Sequence, residues 1–166
     1  VINIITKHSK DLQGNLLSVG VGTEEQGFGE FIHGGKLSDD AFYKVYAKYF
    51  NRDSQATRDG DSAGDRWDLL RGGFRIDWDR DEVDSFRFQG DIYEVDAGQT
   101  LMLPLLDPPY THTFRDDLDL SGGYLLSRWE RQLSSGSDLA LQLSYTRSYR
   151  EDTALKEDRD IINIDF

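Results

Sequence analysis

The chain has 166 residues, with 31 acidic against 19 basic side chains, a formal net charge of −12 and no cysteine. No run of about 18 apolar residues occurs, which excludes a membrane-spanning helix. The missing cysteines exclude a disulfide framework and thiolate metal sites, and the acidity argues against nucleic acid as a partner.

Read in chain order, residues 1–6 are β-branched and predict a strand, and 7–15 form a polar linker with Gly14. The first alternating strand covers about residues 16–23, with Leu17, Val19 and Val21 opposite Ser18, Gly20 and Gly22. A turn at 24–27 leads to a second strand at 28–37, where Phe31 and Ile32 point to opposite faces and the outward face stays open. Gly34-Gly35 near its end marks a bulge or a close backbone approach. The third strand, 42–51, sets Tyr43, Val45, Ala47 and Tyr49 against Lys44, Tyr46, Lys48 and Phe50. The fourth, 69–78, sets Phe74, Ile76 and Trp78 against Arg71, Arg75 and Asp77. The fifth, 85–93, sets Phe86, Phe88 and Ile92 against Arg87, Gln89 and Asp91. In the sixth, 121–131, Leu125 and Trp129 oppose Arg128 and Glu130. In the seventh, 139–149, Leu139, Leu141, Leu143, Tyr145 and Tyr149 oppose Gln142, Ser144 and Thr146. An eighth begins near Asp160 and runs to the end at Phe166. Both ends fall inside strand-like runs, so the sequence reads as an internal piece of a longer protein.

The expected fold is all-β, an antiparallel meander of about eight strands. Short polar turns at 38–40, 80–82 and 134–136 alternate with longer acidic connections at 51–68, 94–117 and 150–159. Short turns on one edge and long loops on the other are the pattern of a transmembrane barrel, whose alternating strands cancel in any hydropathy average. Tyr43, Tyr49, Trp78, Trp129, Tyr145 and Tyr149 share the apolar face near strand ends, where aromatic girdles meet lipid headgroups. Ordinary sheet packing of those rings is the alternative.

Val1-Ile2-Asn3-Ile4-Ile5-Thr6-Lys7, followed by Asp11, Gln13 and Gly14, resembles the end of the plug domain in TonB-dependent outer-membrane receptors. Gly22-Thr23-Glu24-Glu25, Gly34-Gly35-Lys36-Leu37 and residues 43–50 resemble that family's first barrel hairpins; Arg71-Gly72-Gly73-Phe74-Arg75 and Ser127-Arg128-Trp129-Glu130 do so more weakly. The resemblance is strongest over about residues 1–53. It implies that 1–14 end a plug domain with its linker, and that 15–166 begin a barrel of about 22 strands. It further implies energy-coupled uptake, across the bacterial outer membrane, of a scarce small ligand such as a ferric siderophore, cobalamin or haem. The implied partners are outer-membrane lipid and lipopolysaccharide, that metal-chelate ligand, and a TonB-ExbB-ExbD-type energy transducer acting through a more N-terminal segment. No cofactor is implied. In the family's orientation the short turns are periplasmic and the long connections extracellular.

Three candidate sites stand out. Asp59, Asp61 and Asp65 have the near-alternate spacing that can offer oxygens to Ca²⁺, with a solvated acidic loop as the plainer reading. The apolar stretch 101–112 is unusual for a surface loop, and Tyr110, His112 and Phe114 are its candidate ligand contacts; packing on neighbouring loops is the alternative. Lys44, Lys48, Arg71, Arg75, Arg87 and Arg128 could line a barrel lumen as a basic track suited to anionic chelates. Pairing with Asp77, Asp91, Glu130 and plug carboxylates would instead neutralise them. Scattered histidines and the lack of a nucleophile elbow or phosphate loop give an enzyme no positive support. The competing readings are a soluble secreted β-sandwich or lectin-like module, and a passive porin or small enzyme barrel.

Overall fold

Side chains that alternate in polarity every second residue suit a strand with two different surroundings, and each such run here is a strand. The computed structural model describes residues 7–134 and 136–166, so the strand expected at 1–6 lies outside the described residues. A 3-10 turn, Ser9–Asp11, precedes eight strands: β1 Gly14–Gly20, β2 Glu25–Lys36, β3 Ala41–Arg52, β4 Trp67–Asp79, β5 Asp84–Pro104, β6 Thr111–Ser134, β7 Ser137–Glu151 and β8 Lys156–Asp165. They pair in chain order into one antiparallel sheet, which is not closed into a barrel. Among the described residues no second sheet covers either face.

One edge of the sheet, the turn edge, carries the connections 37–40, 80–83 and 135–136. The other, the loop edge, carries 21–24, 53–66, 105–110 and 152–155. Two of the expected long connections are mostly strand. β5 continues to Pro104 and β6 starts at Thr111, in unbroken register from Asp84↔Arg131 to Pro104↔Thr111. β8 starts at Lys156, leaving a four-residue turn after β7. The acids in these stretches occupy exposed strand positions, which a reading of charge as loop overlooks. The turn expected at 24–27 falls three residues earlier, at 21–24, because β1 ends at Gly20 and β2 begins at Glu25.

The two faces reverse the ordinary order of burial. Among the described residues the buried apolar side chains are Ala41 and Val95, while Ser9, Arg75, Asp77, Asp84 and Asp91 are buried polar ones. Ile92 and Leu125, in mid-sheet, are 72% and 57% exposed, against 4% for Arg75 and 3% for Asp77. A domain stabilised in water buries the opposite set.

Candidate functional site

Register assigns every strand residue to a face. Leu17, Phe31, Tyr43, Val45, Tyr49, Leu70, Phe74, Ile76, Trp78, Phe86, Phe88, Ile92, Leu125, Trp129, Leu141, Leu143, Tyr145, Ile162 and Ile164 share one of them. This apolar face is continuous over all eight strands and settles the side of Phe31, which pairs with Ala47.

The apolar band does not follow the hydrogen-bonded rows; it slopes across them. Its upper limit is Tyr49 on β3 and Leu70 on β4, which are partners. On β7 the limit is Tyr145, whose row runs through Leu125, Gly90 and Phe74 to Val45, four residues below Tyr49. The lower limit slopes the same way. In the row of Val45 and Phe74, β1 and β2 carry the polar pair Asn15 and His33, whereas β7 stays apolar down to Leu139. A fall of four residues over four strand steps is one residue per strand. With about 3.4 Å per residue and 4.8 Å between strands, a level band requires strands tilted by about 35°.

Indole rings mark the band's lower rim. Trp78, Phe86 and Trp129 stack in one row, with centroids 5.2 and 6.4 Å apart. Trp78 Nε1 donates to Asp40 at 3.0 Å and Trp129 Nε1 to Asp84 at 2.8 Å, so each ring lies on the apolar side with its N–H turned to a polar edge. Tyr43 sits one row above. Tyr49 and Tyr145 lie at the upper limit, and Tyr145 donates to Asp160 at 2.6 Å. Tyr149 is two rows higher than Tyr145, bonded to Glu151 and beneath Lys156, so it stands above the band rather than at its rim.

Lys44, Lys48, Arg71, Arg75, Arg87 and Arg128 all share the opposite, polar face. The arginines are largely engaged. Arg71 and the Tyr46 hydroxyl both donate to Asp91, the tyrosine at 2.9 Å. Arg75 grips Asp77 at 2.7 Å, Arg128 bonds Glu130 at 2.8 Å, and Arg87 stands 3.5 Å from Asp77. Lys44 and Lys48 have no carboxylate within ion-pair distance among the described residues. Gly73 makes room for this packing: a Cβ there would lie 2.8 Å from the Tyr46 ring and 2.7 Å from Asp91 Cβ. The 3-10 turn lies over the same face, with Ser9 N–H on Asp77 at 2.8 Å.

Towards the loop edge both faces exchange character. On the apolar face Asn51, Asp68, Asp96, Asp119 and Glu151 form one row above the band, next to its limit on β3 and β4 and six residues from it on β6 and β7. On the polar face Phe50, Leu69, Val95 and Leu120 form a row, with Trp67, Ala97 and Leu118 above them. Phe50 and Trp67 meet edge to face at 4.5 Å, and the Arg52 guanidinium lies 5.6 Å from both rings. The exchange occurs without any shift in the β5–β6 register, so the same two strands carry their apolar side chains on one face below and on the other above. The phase of alternation shows it in the sequence: Phe86, Phe88 and Ile92 are even-numbered, Val95, Ala97, Leu101 and Leu103 odd-numbered.

Beyond Ala97 the β5–β6 hairpin stands clear of β4 for seven residues, about 24 Å. Loop 53–66 braces one side through Gly98 N–H to Arg66 O at 2.7 Å, Thr100 Oγ1 to Ala63 O at 3.1 Å and Arg115 to Ser62 O at 3.0 Å. Asp116 holds the other by accepting Thr153 N–H at 3.1 Å. Of the three expected ligand contacts, His112 and Phe114 stack on the same side as the basic track, at 5.4 Å, opposite Leu103 and Leu101. Tyr110 sits in the tip turn, 60% exposed and with φ of 66°.

Asp59 and Asp61 are exposed in loop 53–66, and Asp65 accepts Gln55 N–H at 2.8 Å. No group of three or more His, Asp or Glu side chains among the described residues is placed to hold a metal ion. No family model, curated protein or solved structure matches this chain.

Proposed function

We propose that this chain is the first third of an outer-membrane barrel of the TonB-dependent receptor type, about 22 strands in the whole, and that it serves energy-coupled uptake of a scarce small ligand such as a ferric siderophore, cobalamin or haem. The observation that carries the reading is the sloping apolar band. Strands in membrane barrels tilt by 35–45°, so a level hydrocarbon layer cuts a diagonal across their hydrogen-bonded rows. A sandwich core has no reason to drift by one residue per strand, and a sandwich needs a second layer. On this reading lipid hydrocarbon covers the apolar face. The row from Asp68 to Glu151 meets the headgroup and lipopolysaccharide zone, and the polar face looks into the lumen.

The 3-10 turn lying across the polar face favours a filled lumen over the open water channel of a porin. The apolar wall from Phe50 to Phe114 supports capture of a ligand with apolar or aromatic surface above the ionic layer, with Arg52, Lys44 and Lys48 as cations for an anionic chelate. The energy transducer would act through chain preceding this segment.

The test is depth in a bilayer. Single cysteines at Ile92, Leu125 and Ile162, spin-labelled in the complete chain in lipid vesicles, are expected to contact oxygen and exclude a water-soluble relaxant. Labels at Asp68 and Asp119 are expected to do the reverse. Water access at the first three sites would overturn the reading. Uptake is then tested by growth of deletion and complemented strains on single iron, cobalamin or haem sources.

A further inference from the structure

Residues 7–13 lie across the polar face at the turn edge, held by a compact set of bonds. Ser9 has no exposed surface. Its N–H donates to Asp77 Oδ2 at 2.8 Å and its hydroxyl to the Arg75 carbonyl at 3.3 Å. Gln13 Nε2 returns to the Ser9 carbonyl at 2.8 Å. Lys10 Nζ is 5.7 Å from the Phe42 ring, and His8 Nε2 is 3.8 and 3.7 Å from the Asp77 and Asp79 carboxylates. The Leu12 carbonyl occupies the space a side chain would need at Gly34.

Asp77 is the centre of this set. Besides Ser9 it takes Arg75 Nε on Oδ2 and Arg75 Nη2 on Oδ1, both at 2.7 Å. Arg87 is its direct cross-strand partner on β5. Arg87 Nε lies 3.5 Å from Asp77 Oδ1, is covered from solvent, and makes no hydrogen bond among the described residues. A covered donor left without an acceptor disfavours the state that contains it. When Ser9 leaves, its N–H is satisfied by water and Oδ2 keeps Arg75 Nε as its donor; the carboxylate, released from Ser9 but still held by Arg75, can then shift to close the gap to Arg87. One charge-assisted hydrogen bond then replaces another, which keeps the two states close in free energy.

We propose that residues 7–13 form a releasable strap whose exchange point is Asp77, bonded to Ser9 when the strap is down and to Arg87 when it is off. Chain N-terminal to the strap is thereby tethered to the polar face by a contact built to let go. The proposal needs neither bilayer nor ligand. Its failure would leave the transport reading standing, and failure of that reading would leave the strap.

The test uses the absence of cysteine from this sequence. Ser9→Cys in the complete chain places a thiol at a fully covered position, and its labelling by a membrane-impermeant maleimide reports the open fraction. In that background Arg87→Gln is expected to slow labelling at least tenfold, because the open state loses its waiting donor. Faster or unchanged labelling would overturn the proposal, since a cation that merely steadied Asp77 in the closed state would give the former and an uninvolved one the latter. If Arg87→Gln does not fold, Arg87→Lys, which keeps the charge and lacks the Nε–H, carries the same two outcomes. Gly34→Ala, which evicts the Leu12 carbonyl from the closed state, is expected to speed labelling tenfold or more and by the same factor in the Arg87→Gln background, and unchanged labelling would overturn the strap.

Discussion

Gly34 shows how little latitude single residues have on the polar face. A Cβ at this position would lie 1.6 Å from the Leu12 carbonyl oxygen, so the strap cannot stay seated over alanine. Gly34→Ala is expected to cost about 1–3 kcal/mol in denaturant unfolding, the range for overpacking a fitted contact. A second residue-scale effect is electrostatic. In the turn 152–155, Asp152 accepts from Arg150 at 2.8 Å and from the N–H groups of Ala154 and Leu155 at 2.8 and 2.7 Å. The Arg150 hydrogen bonds above all, then those two backbone donors, hold its carboxyl below the ordinary aspartate value. The sign follows. A depressed folded pKa gives stability that is complete above the unfolded value of about 3.9 and is lost as pH falls through the lower folded one. The Ala154 and Leu155 amide shifts are expected to titrate with a midpoint below that of free aspartate, and not to titrate in Asp152→Asn. A midpoint at or above the ordinary value would refute this account of the turn.

At the scale of the strand, the crossed faces of β5 and β6 make the clearest demand. Leu125 lies in the apolar band and Asp119 above it, six residues apart on the same face of β6. Leu125→Arg is expected to destabilise the protein in lipid by about 2–4 kcal/mol and Asp119→Arg by about 0–1 kcal/mol, because the cost of a lipid-facing charge falls with distance from the midplane. Urea unfolding from vesicles measures both, and equal costs would place the two residues in the same surroundings. The hairpin above the band depends on its braces. Asp116→Ala removes the acceptor for Thr153 N–H and is expected to speed amide exchange over residues 100–114 at least tenfold, with β3 and β4 unchanged. The faces of β3, β4, the lower part of β5, and β7 were legible in the sequence because one phase of alternation runs through each. β2 was not, since glycines at 27, 29, 34 and 35 leave few side chains to show a phase. The upper β5–β6 hairpin was hidden by the change of phase at Glu94-Val95, which imitates the end of a strand. The six cations and the aromatic face were readable from spacing alone. The Ser9–Asp77 contact was not, because its partners are 68 residues apart and neither belongs to a pattern.

The whole sheet is held by its ladders and by ion pairs, the buried ones of Arg75 and Asp77 on the polar face, with almost no apolar core among the described residues. Exposed leucines and isoleucines on the apolar face, together with edges at β1 and β8 that are unpaired among the described residues, are what water tolerates least. Residues 1–166 made alone are therefore expected to aggregate or to require detergent. A monodisperse, cooperatively melting monomer in buffer would count against a lipid-covered face. The slope of the apolar band has a consequence for the complete molecule. Strands that slip one residue at each step cannot close into a straight-sided tube; the last meets the first displaced lengthwise by about as many residues as there are strands. The hydrogen bonds then climb the wall like the thread of a screw. In the proposed barrel of about 22 strands, tilted by about 35°, the present eight would cover roughly 130° of a cylinder about 40 Å across.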